Sequence, residues 1–103
     1  MKNFNQILKQ AQQMQSKVKT LQKELEKREF EASAGGGVVT AKVNGKQELL
    51  SINIKPECVD PSDVDMLEEL VLTAVNQALT ESNEKVSAAM EKVTGGLNIP
   101  GMF

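Results

Sequence analysis

Apolar positions along this chain follow two rhythms, one helical and one extended. Phe4, Ile7, Ala11, Met14, Val18, Leu21 and Leu25 recur at alternating steps of three and four. That is an a/d heptad seam, and it predicts one helix over 3–28, roughly 38 Å long at ~1.5 Å per residue. Residues 29–34 then alternate with period two, which predicts a short strand. Gly35-Gly36-Gly37 reads as a loop, because glycine weakens either regular element. Val38–Val43 and Gln47–Ile54 read as two more strands, joined at Asn44-Gly45, a strong short hairpin signal. In the last strand Leu50, Ile52 and Ile54 are expected on one face, with Leu49, Ser51 and Asn53 on the other. Helical spacing returns with Val64, Leu67, Leu70, Val71, Ala74, Val75 and Ala78. Asp60 is the expected cap and Pro61 the expected first helical residue. The helix is expected to run to about Thr94 and stop at Gly95-Gly96.

These lengths shape the expected architecture. The last helix would be roughly 50 Å long, whereas a strand of five or six residues covers only ~17–20 Å. The sheet therefore cannot cover it, and Val64–Leu79 is expected to face the sheet. Thr80–Glu84 reads as a polar break, beyond which Val86, Ala89, Met90 and Val93 form a narrow stripe. The fold class is α+β: a long N-terminal helix, a three-stranded antiparallel sheet and a long C-terminal helix. One domain over 1–94 is expected, followed by a Gly/Pro-containing tail over 95–103. The free ends Phe4–Met14 and Val86–Val93 are expected to meet as a protruding antiparallel pair, and the tail's apolar residues could dock on a groove.

Composition narrows the possibilities. With 3% aromatic residues and no Trp, Tyr or His, the core must be built from aliphatic side chains and Phe. A chain of 103 residues buries a modest fraction of its surface, so dimerisation is expected. Cys58 is the only cysteine, which rules out an intrachain disulfide and fits a reducing compartment. No apolar run is long enough for a membrane helix, and the N-terminus lacks the apolar core of a secretory signal, so a cytoplasmic location is expected. The net charge of −2 hides a division. Residues 1–28 hold seven basic and two acidic residues, and residues 56–103 hold two basic and nine acidic. The whole-chain balance argues against strong indiscriminate nucleic-acid binding.

Catalytic and metal motifs are weak. Neither Gly35–Gly37 nor Gly45-Lys46 has the spacing or the Ser/Thr of a phosphate loop. Asp60 and Asp63 are accounted for by a helix N-terminus, and Asp65, Glu68 and Glu69 by a solvated face. Cys58 has neither His nor a second Cys to work with. No enzyme, cofactor or metal is expected. The positive signal is the outer face of the first helix. Lys2, Lys9, Ser16 and Lys23 occupy the line opposite the seam, with Lys17 and Lys19 flanking it. Read from the residues alone, such a face is either a solvated helix surface that aids solubility or, without aromatics to stack on bases, a contact for the backbone of a duplex.

The order of motifs resembles the YbaB/EbfC family of bacterial nucleoid-associated proteins. The residues that carry it are Gly35, Gly37, Val39 and Val43, Asn44-Gly45, Ile52, Ile54 and Asp63. Met66–Leu70, Ala74, Asn76 and Ala78 follow, with Lys9–Gln15 and the closing Gly-Leu-Asn-Ile-Pro-Gly-Met-Phe. The resemblance implies a tweezer-like α+β homodimer with projecting helical arms, DNA binding by those arms, and a role in nucleoid organisation and gene regulation. Carried onto this sequence, it points to Lys2, Lys9, Lys17, Lys19 and Lys23, with Lys85 and Lys92 on the last helix as weaker candidates. The competing reading is a protein-interaction module that engages a replication or recombination partner through the arms or the tail.

Overall fold

The structure, a computed structural model, describes residues 2–94, with side chains over 3–93. Its elements are helix α1 (Lys2–Lys27), strands β1 (Glu29–Ala34), β2 (Val39–Asn44) and β3 (Leu49–Ile54), and helix α2 (Val64–Thr94). The strands form one antiparallel sheet in the order β1-β2-β3. The molecule is long and thin, 75 × 20 × 18 Å.

Pairing places Phe30, Ala32 and Ala34 of β1 opposite Val43, Ala41 and Val39 of β2. These six residues share one face, against which α2 packs with Leu67, Leu70, Val71, Ala74, Val75, Ala78, Leu79 and Val86. Each fully buried Val or Phe contributes about 1.5–3 kcal/mol. The opposite face is polar. The Ser33 and Thr40 hydroxyls lie 2.9 Å apart, and Lys42 reaches Glu29 at 3.4 Å and Glu31 at 3.5 Å. The bond to Glu29, helped by Glu31, raises the Lys42 pKa above its usual value.

The third strand departs from simple alternation. Val39, Ala41 and Val43 pair with Ile54, Ile52 and Leu49, and the register shifts between Lys42 and Val43. A bulge inserts one residue, Leu50, and a one-residue insertion moves every earlier side chain to the other face. Leu49 therefore pairs with Val43 on the core face beside Ile52 and Ile54, contrary to the strict two-residue pattern. Helix α2 lies over β1 and β2 and leaves β3 to one side. All six β3 residues are exposed, including the four large apolar ones.

The two hairpins differ in how they use glycine. Gly35, Gly36 and Gly37 all have positive φ, so the first turn needs their conformational freedom. The second is not a two-residue Asn-Gly turn. The Asn44 N–H donates to the Glu48 carbonyl, and the Gln47 N–H donates to the Asn44 carbonyl. The Asn44 side-chain oxygen accepts from the Lys46 and Glu48 N–H groups. It is Gln47 that takes positive φ, at 66°, as in three-residue hairpin loops. Gly45 serves another purpose: a Cβ there would collide with the Leu25 carbonyl.

Helix α2 begins later than Pro61. Asp60 instead closes a turn, accepting from the Ser62 N–H at 3.0 Å and the Ser62 hydroxyl at 2.7 Å. These bonds, the hydroxyl's foremost, hold the Asp60 carboxyl below its usual pKa. Asp63 is the cap, accepting from the Met66 N–H at 3.3 Å. At the other end of the sheet, Ser82 is fully buried rather than part of a polar break. Its hydroxyl donates to the Asn44 carbonyl at 2.9 Å. The Gln47 carboxamide lies 3.0 Å from the same hydroxyl. Turned over, that amide would also donate to the Leu79 carbonyl (3.0 Å) and accept from the Asn83 N–H (3.2 Å).

Candidate nucleic-acid interface

Two junctions root the arm on the same hairpin. Leu25 of α1 lies against Gly45, and Ser82 of α2 is bonded to Asn44. From this level both helices leave the sheet and pack on each other. Val18 and Leu25 are buried, and Leu21 and Met14 are half-buried, as are Val86, Ala89, Met90 and Val93 of α2. The two helices do pair, but through Met14–Leu25 of α1 and not through the expected Phe4–Met14, because α2 ends before it reaches that segment. Beyond Met14 the seam is open: Phe4, Ile7 and Ala11 are all exposed.

Because the seam faces α2, the opposite side of α1 faces solvent. Lys9, Lys17, Lys19 and Lys23 are all exposed. None of the four makes an ion pair among the described residues. From Lys9 to Lys23 the line covers about 21 Å of helix axis. Lys27, one turn beyond Lys23, continues it towards the root and is also exposed; the heptad line through Lys2, Lys9 and Lys23 skips it. The Lys2 side chain lies outside the described residues.

The α2 lysines differ from this set. Lys85 pairs with Glu81 at 3.1 Å on its own helix. Lys92 is exposed and next in sequence to Glu91. The structure thus gathers Lys9, Lys17, Lys19 and Lys23 on one helix and leaves Lys85 and Lys92 on a mainly acidic one. Among the described residues, no group of three or more His, Cys, Asp or Glu side chains is placed to hold a metal ion. Among them, no helix is long and apolar enough to cross a membrane.

A three-stranded sheet with one covering helix, extended by a paired arm whose outer face is basic, defines a class of elongated α+β proteins. The family model of the YbaB/EbfC DNA-binding family matches residues 1–97. A nucleoid-associated protein of Clostridium novyi is 58% identical over 101 residues, covering 98% of this chain and 89% of that protein. A nucleoid-associated protein of Clostridium kluyveri is 56% identical with the same coverage. The crystal structure of an uncharacterized protein from Helicobacter pylori has the same fold, with a TM-score of 0.74 at 20% identity, covering 89% of this chain and 97% of that one. The chain belongs to the YbaB/EbfC DNA-binding family.

Proposed function

We propose that this chain is a non-enzymatic, homodimeric duplex-DNA-binding protein of the bacterial nucleoid, acting in nucleoid organisation and gene regulation. The observation that carries this reading is the line of exposed lysines on α1 that make no ion pair among the described residues, Lys17, Lys19 and Lys23 being held outward by the packing of the seam on α2. Lys9, Lys17, Lys19 and Lys23 are its phosphate contacts. Lys2 extends the line, and Lys85 and Lys92 contribute less, because acidic residues surround them. Contacts of this kind position a protein on DNA without reading its bases.

The homodimer reading draws on β3. Leu49, Ile52 and Ile54 continue the core face past the edge of α2 and are 46%, 39% and 37% exposed. On α2 the large apolar Leu72 is exposed as well. A second copy seated over this strip would bury it and place two basic arms in one particle.

Fluorescence anisotropy of a labelled duplex of about 30 bp, titrated at several salt concentrations, tests the proposal. If about four of the eight such lysines in a dimer meet phosphates at once, log K falls with log salt at a slope near −3.6. The second reading, a module for a replication or recombination protein, draws on the exposed apolar end of α1. Absence of binding at low salt from a verified dimer would favour it.

A further inference from the structure

The two helices of the arm end at different heights. Leu25 and Ser82 sit at one level, fixed by their shared hairpin. From Ser82 to Thr94, α2 rises about 18 Å, and the same distance along α1 leads from Leu25 to near residue 13. Burial agrees: Met14 is half-buried, and residues 3–13 are exposed without exception. The first three turns of α1 thus carry Phe4, Ile7, Leu8 and Ala11 with nothing from the described residues upon them. Phe4 is 66% exposed, Ile7 63% and Leu8 49%.

The chain leaves α2 beside the lower end of this strip, heading along it. The next residues are Gly95-Gly96, which permit any change of direction. After them Leu97, Ile99, Met102 and Phe103 supply apolar groups, and Pro100 prevents a longer helix. Nine residues reach up to about 30 Å, whereas Met14 to Phe4 spans about 15 Å. The reach is ample, and a segment tethered at the strip's edge has a high effective concentration there.

We propose that residues 95–103 dock in extended form on the uncovered end of the α1 seam, with Leu97 and Ile99 over Ala11 and Ile7 and the last apolar residues over Phe4. The tail then completes the arm's two-element packing out to its tip. It lies on the side away from Lys9, Lys17, Lys19 and Lys23, so DNA contact does not require it.

Hydrogen exchange of the amides of residues 7–12 tests this in the full chain, in a variant ending at Thr94, and in Leu97→Ser/Ile99→Ser. Exchange at least tenfold faster in both variants is the expected result, and equal rates would overturn the proposal. In a Cys58→Ser background, Ile7→Cys/Ile99→Cys should form a disulfide within one chain on mild oxidation. Crosslinking only between chains, or none, would overturn it, the former assigning the strip to a second copy.

Discussion

The backbone of Gly45 lies against the carbonyl of Leu25 so closely that no side chain fits between them. This contact sets the point at which α1 departs from the sheet. A Gly45→Ala variant must move helix or turn backbone, because the obstacle is main chain. Overpacking of this kind costs roughly 1–3 kcal/mol, and chemical denaturation should find the variant in that range. Gly36 is the control. It has positive φ but open space around its Cβ position, so Gly36→Ala should cost only about 1 kcal/mol of backbone strain.

Ser82→Ala removes the hydroxyl that links α2 to the Asn44 carbonyl and the Gln47 amide. Asn44 keeps the Gln47 N–H as a donor, so the loss should lie near the low end of about 1–3 kcal/mol. For a domain of this size each kcal/mol lowers Tm by roughly 4–8 °C. Calorimetry should therefore show a fall of that order, with the α1 and α2 helical signals lost together.

Both junctions show where the sequence was legible and where it was not. The order of elements, the strand count and the inner half of the α1 seam followed from periodicity, which reflects burial on one face. Strict alternation puts Leu49 on the wrong face, because a bulge leaves no periodic trace until the partner strand is known. Asn44-Gly45 marked the right place for the wrong reason: glycine answers a tertiary contact with α1, and the left-handed residue is Gln47. Asp60-Pro61 matched a helix start, yet Asp63 caps the helix, because Asp60 is satisfied within its own turn by Ser62. Ser82 looked polar and exposed in sequence, and only the hairpin brought to it explains its burial. The basic line of the candidate site was readable as heptad positions, whereas its freedom from ion pairs required the structure.

Asp60 gives a pH signature. Its pKa is lowered in the folded state, chiefly by the Ser62 hydroxyl. Its contribution is thus present above the unfolded value and is lost as pH falls through the folded one. Asp60→Asn should be less stable than the parent at pH 7. The gap should close in acid, below the ordinary carboxylate range, when denaturant midpoints are compared across pH.

The β3 strip should govern self-association. Ile52→Lys places a charge on the apolar face of β3 at a position that is not itself buried, Ile52 being 39% exposed in the single chain. Light scattering should give twice the chain mass for the parent and the single-chain mass for the variant, with helical content unchanged. A parent that remains monomeric at high concentration would remove the dimer from the account.

The most direct measurement is duplex binding by a Lys9→Glu/Lys19→Glu/Lys23→Glu variant at low salt, followed by anisotropy beside the parent. These side chains are exposed and make no ion pairs among the described residues, so the fold and the dimer should survive. Binding should be abolished in a variant whose melting and mass match the parent. Unchanged affinity in that folded variant would contradict it and take the α1 face out of DNA recognition.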